Sequence, residues 1–213
     1  MNILTIDFDI FMNQNIELYN YYIDETHGIE SLMVTNPLLR LCPFDNILYI
    51  LITNYLLQLL NRLNQDDIIF VENHQEALNF LQANTNSTLI NIDHHHDLGY
   101  GPSLEDEDKS GLGCANWIYY GLKNNLITNY IWIFDSNSQL QINVDLRNKY
   151  NIYSIEFDDI NMNELPIIDR VILCLSPNWI IPEFREYFYL WKNIVYNYYN
   201  TKGKKHETNW STV

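Results

Sequence analysis

Short apolar runs recur along the chain at Ile3–Phe8, Asp67–Val71, Thr88–Ile92, Tyr130–Phe134, Ile152–Phe157 and Arg170–Leu175. Longer segments with helical spacing separate most of them, and strands alternating with helices predict an α/β fold with a mainly parallel sheet flanked by helices. Asp45, after Pro43, reads as the start of one helix, and Asn73 with Glu76 as a capping-box start of a second. Asn116 to Leu122 lies within a third, and a Tyr- and Trp-rich helix from about Pro182 to Tyr199 is expected across the sheet. Asn46 to Leu63 is the longest greasy stretch, but Asn54, Gln58 and Asn61 interrupt it, which predicts a buried helix and no membrane span. The polar, Gly-flanked segment Gly99 to Gly113 reads as a loop. No repeat or linker divides the chain, so residues 1–200 are expected to form one domain, with 201–213 a disordered basic tail.

Composition narrows the function. The 213 residues are 47% apolar, enough to bury one sizeable core. Twelve Lys and Arg against 27 Asp and Glu leave a formal charge of −15, which argues against nucleic acid as partner and favours a cationic substrate or a metal ion. Cys42, Cys114 and Cys174 show no C-x-x-C spacing, so a reducing, cytoplasmic setting is expected. The first residues enter a strand pattern directly, which predicts no signal peptide.

The candidate chemistry sits at strand ends. Asn91-Ile92-Asp93-His94-His95-His96-Asp97 closes an apolar run; strand alternation would put Asp93, His95 and Asp97 on one face and His94 and His96 on the other. Asp7 and Asp9 share a side of the first strand by the same rule, and His74 follows the second strand. Functional groups collect at the carboxyl ends of parallel strands. Buried together, so many ionisable groups need a compensating cation. Four carboxylates and two imidazoles without thiolate favour Mn²⁺ or Fe²⁺ over structural Zn²⁺, and four acids would neutralise two divalent ions.

The Asp93-x-His95-x-Asp97 pattern resembles the D-x-H-x-D strand motif of the arginase/deacetylase superfamily, and His74 stands upstream where those enzymes place another metal-binding histidine. Here the D-x-D strand, Asp7-x-Asp9, comes first in the chain, and the late strand end Leu175-Ser176-Pro177-Asn178-Trp179 carries no acid. That arrangement resembles the atypical peptide arginases, through an I-D-x-D-x-F strand, a V-E-x-H-x-E-A-L segment and the D-x-H-x-D strand, from Ile6 to about Trp117. The resemblance implies a three-layer arginase/deacetylase-like fold. It further implies hydrolysis of arginine residues in a precursor peptide to ornithine and urea, by a hydroxide bridging two Mn²⁺ ions held by Asp7, Asp9, His74, Asp93, His95 and Asp97.

Under that reading Glu183 is the candidate guanidinium partner, His27 the candidate proton shuttle, and Asn116, Trp117 and Asn178 the candidate pocket lining. Plain structural roles stand beside these: a first-turn acid for Glu183, a solvent-facing loop histidine for His27, a helix N-terminal residue for Asn116 and a core residue for Trp117. The run Glu105 to Asp108 is either a solvated acidic stretch or a recruiter of cationic peptide. Three rival functions share some of these residues. Asp93-His94-His95 with Asp7-x-Asp9 is also similar to DHH-type manganese phosphoesterases, a one-zinc deacetylase would use fewer of the acids, and a metal-stabilised binding protein would need no catalysis.

Overall fold

The computed structural model describes residues 1–12, 44–101, 104–136, 138, 141–177 and 179–207, with side chains as far as 202. Strands β1 (Asn2–Asp7), β2 (Ile68–Val71), β3 (Ser87–Ile92), β4 (Ile127–Phe134), β5 (Asn151–Glu156) and β6 (Arg170–Cys174) fall where the apolar runs predict them, to within a few residues at each end. They form one six-stranded sheet in the order β2-β6-β1-β3-β4-β5, and every pairing is parallel. The helices are α1 (Asn46–Leu60), α2 (Ala77–Gln82), α3 (Leu104–Ser110), α4 (Trp117–Lys123), α5 (Val144–Lys149) and α6 (Arg185–Glu207).

Strand alternation sorts the core into two halves. Leu4, Ile6, Ile90, Ile92, Val171 and Leu173 pack on one face with α1 and α6. Ile3, Leu89, Tyr130, Ile152 and Ile172 pack on the other with α2, α4 and Leu146 of α5. The result is a three-layer α/β fold.

Asp45 caps α1 by accepting the Leu48 N–H at 2.9 Å. The polar breaks Asn54, Gln58 and Asn61 lie on the exposed side, with Asn61 accepting the Tyr198 hydroxyl at 2.9 Å, while on the packed side Thr53 accepts the Trp191 indole N–H at 2.8 Å and Trp191 stacks on Tyr49. Among the described residues no helix is long and apolar enough to cross a membrane. On the opposite face α4 approaches β4 closely at Gly121, where an added Cβ would stand 2.5 Å from the Ile127 Cδ1.

Two segments depart from the sequence pattern. The expected loop 99–113 contains α3, whose first turn holds Glu105, Asp106 and Glu107, as suits a helix N-terminus. Glu107 is buried and accepts the Gly101 N–H, while Gly99, at φ +89°, lies so close to that carboxyl that a Cβ would overlap it. The last helix runs to Glu207, beyond Tyr199, so part of the expected disordered tail is helical; 208–213 lie outside the described residues.

Candidate metal centre

Parallel pairing aligns the carboxyl ends of three adjacent strands. Asp7 ends β1 and pairs with Cys174 at the end of β6; Ile6 pairs with Ile92, so Asp93 follows β3 beside Asp7. Asp9, expected on the first strand, lies past its end in the one-turn 3-10 segment Phe8–Phe11, and the Asp7 carboxylate accepts its N–H. His74 opens the 3-10 turn His74–Glu76 after β2, where the Glu76 carboxylate accepts from the backbone and side-chain amides of Asn73, as the capping signal predicts.

The strand ends at Ile92, yet the division expected from alternation survives in the bends that follow. Asp93, His95 and Asp97 turn toward Asp7, Asp9 and His74, with Asp97 in the left-handed region at φ +50°, which Asp tolerates better than most residues. His94 turns away to Asp135, Nδ1 to Oδ1 2.8 Å. His96 packs edge-on against Trp132 and accepts the Leu98 N–H; burial pushes its pKa down to about 3, so it is neutral.

The six residues predicted as ligands are brought together. His74 Nδ1 lies 3.0 Å from Asp7, 3.2 Å from Asp93 and 3.1 Å from Asp97. One imidazole nitrogen carries at most one proton, so three carboxylate oxygens around it have more negative charge than that ring can satisfy. Its other nitrogen is 2.7 Å from Thr5 Oγ1; an Nε2–H donated there leaves the Nδ1 lone pair free for an ion. His95 Nδ1 lies 2.8 Å from Asp9 and 3.9 Å from Asp93. Asp93 thus belongs to two donor groups, one with His74 and Asp97 and one with Asp9 and His95.

Taken by themselves, the charges of this cluster are unfavourable. Burial, then the charges of Asp7 and Asp93, push the Asp9 pKa well up. Burial and Asp93 push Asp97 to about 6. Burial acts on Asp93 in the same sense, but hydrogen bonding and charge from His74, with His95, override it and hold Asp93 near 2. Burial would lower His74, but Cys174 and Asp7 override it, and its pKa lies well above the ordinary value. One oxygen of fully buried Asp9, Oδ1, has no hydrogen-bond partner. An orphaned carboxylate oxygen in a cluster of four acids fits divalent cations, so these buried Asp and His groups could hold a metal ion.

Several supporting residues escape the sequence reading. Ser176 donates to Asp7 at 2.6 Å from a backbone at φ +48°. Asn91 donates to Asp93 at 3.0 Å. Cys174 stands within ligand distance of Asp7 and His74. The late strand end that lacks acids contributes through Cys174 and Ser176.

The other predicted site residues fare differently. Asn116 and Trp117, expected as pocket lining, are both buried. The Asn116 amide accepts from Gly113 and donates to Ser110 and Gly111, and fully buried Trp117 donates its indole N–H to Asp97 at 2.6 Å. Glu183 is exposed in the turn Pro182–Phe184 ahead of α6, the position of a first-turn acid, and no hydrogen bond or ion pair joins it to the six. His27 and Asn178 lie outside the described residues. Comparison with protein-family models, with curated proteins and with solved structures returns no match.

Proposed function

We propose that the chain is a two-metal hydrolase that cleaves the guanidinium group of arginine side chains in a precursor peptide, giving ornithine and urea. The observation that carries this reading is the position of Asp93, shared between two buried donor groups at the carboxyl edge of the sheet. His74, Asp93 and Asp97, with Asp7 beside His74, would hold one divalent ion, and Asp9, Asp93 and His95 the other, Mn²⁺ being the ion their oxygen-rich chemistry favours. When bound, such ions ionise water at neutral pH and stabilise charge in the transition state.

The chain's own residues keep that geometry fixed. Trp117, Ser176, Asn91 and Thr5 hold Asp97, Asp7, Asp93 and His74 in place, so little reorganisation is needed during reaction. In the overall reaction water adds its oxygen to the guanidinium carbon, the carbon–Nε bond breaks, and the freed amine takes a proton as urea leaves. A positively charged side chain suits a protein of charge −15. The choice of a precursor peptide rests on the resemblance of the three motifs to peptide arginases.

Incubation of the Mn²⁺-loaded chain with an arginine-containing peptide should remove a CH₂N₂ unit from it, read by mass spectrometry with urea measured in parallel. Asp93→Ala should abolish both products. No mass loss across varied arginine peptides, from a chain shown to bind its metal, would refute the reading.

A further inference from the structure

Cys174 is a small buried residue at the end of an apolar strand, a position where a cysteine ordinarily serves as packing. Its surroundings are not those of a packing residue. In the sheet it lies between Val71 of β2 and Asp7 of β1, in register with both. Ile172, two residues earlier on the same face, packs into the apolar core with α2 and α4, but Cys174 projects beyond that core among polar groups. Its sulfur is 3.3 Å from Ser176 Oγ, and that hydroxyl donates to Asp7. One ligand atom each from Asp7, His74 and Cys174 lie within 4.8 Å of one another. Ion-to-ligand distances of about 2.1 Å for oxygen and nitrogen and about 2.3 Å for sulfur place donors on opposite sides of one ion about 4.4 Å apart. The three donors are therefore near the spacing that one shared ion requires.

We propose that Cys174 is a seventh donor of the centre and that the ion position beside β6 is ligated by its thiolate together with Asp7 and His74. The inference rests on the two-ion reading above and changes which ion fills one position. Binding forms the sulfur–metal bond and releases the thiol proton to solvent, with no change of oxidation state. The two positions then differ chemically. Asp9, Asp93 and His95 offer only oxygen and nitrogen and suit Mn²⁺, whereas a thiolate draws a borderline ion such as Zn²⁺, Fe²⁺ or Co²⁺.

Cobalt(II) is the probe. The full chain, stripped of metal and titrated with Co²⁺ under reducing conditions, should show visible d–d bands and a near-ultraviolet thiolate-to-cobalt charge-transfer band. Cys174→Ser should keep the d–d bands and lose the charge-transfer band; a Cys42→Ser, Cys114→Ser double variant should keep both. Visible bands without charge transfer in the wild type, or charge transfer persisting in Cys174→Ser, would overturn the proposal. If that chain still forms urea from an arginine peptide, the proposed function stands without it. Failure of the wild type to bind Co²⁺ at all would overturn both readings. Zn²⁺ X-ray absorption on the wild type needs no substitution, so it decides the matter even where Cys174→Ser does not fold. One sulfur at about 2.3 Å supports the assignment, and a shell of nitrogen and oxygen alone rejects it.

Discussion

Asp93 and Asp97 differ by four positions and carry opposite pKa shifts: burial raises both, and His74 with His95 outweighs it at Asp93 but not at Asp97, where the charge of Asp93 adds to burial. Asp97, raised to about 6, binds a proton more tightly in the folded chain than in the unfolded one. Its contribution to stability is present below its ordinary pKa near 3.8 and is lost as pH rises through about 6. His96, lowered to about 3, acts in the opposite sense over much of the same range. The Asp97 effect is therefore read as a difference: the metal-free wild type should lose melting temperature relative to Asp97→Asn between pH 4 and 6. Parallel curves for the two would contradict it. Trp117→Phe removes the indole donor to Asp97 and keeps most of the packing, so it should weaken metal affinity about 10- to 100-fold in a chelator competition, the usual cost of losing such a support. The six candidate ligands were legible in sequence because acids and histidines at the ends of apolar runs conflict with burial. Cys174, Ser176 and Thr5 were not, since each is an ordinary residue for its strand or turn and acquires meaning only through register.

The same contrast holds for elements. The central strands β1, β3 and β6 are buried on both faces and appear in sequence as continuous apolar runs, whereas β5 at the sheet edge exposes Asn151 and Tyr153 and alternates. Helix α3 is seven residues long and mostly acidic; no apolar stripe betrays it, and what fixes it is Glu107 turned inward to the backbone of Gly101. Gly99→Ala tests that anchor. A Cβ there meets the Glu107 carboxyl, and the positive φ adds strain, so a loss of about 1–3 kcal/mol is expected in thermal or denaturant unfolding. A variant as stable as the wild type would show that α3 is not held by this contact.

For the molecule as a whole, the acidic excess divides into parts with different work. Four acids line the candidate metal centre. In α3 the charges are less available than the sequence suggests: Glu107 is buried, Glu105 pairs with Lys109 at 2.8 Å, and Asp108 accepts from Lys123 and the Tyr119 hydroxyl. Replacing Glu105, Asp106 and Asp108 by their amides should therefore change KM for an arginine peptide less than about twofold at low salt, as for other exposed pairs. A larger, salt-sensitive rise would restore the recruiting role. The account depends most on two ions meeting at Asp93. Its most direct test is electron paramagnetic resonance of the chain stripped of all metal and reconstituted with excess Mn²⁺ alone, so that no borderline ion competes for the position beside Cys174, with metal per chain measured on the same sample. Two Mn²⁺ per chain with an exchange-coupled spectrum, reduced to one or none in Asp93→Ala, is the expected result. One ion per chain, or two without coupling, would contradict a shared centre.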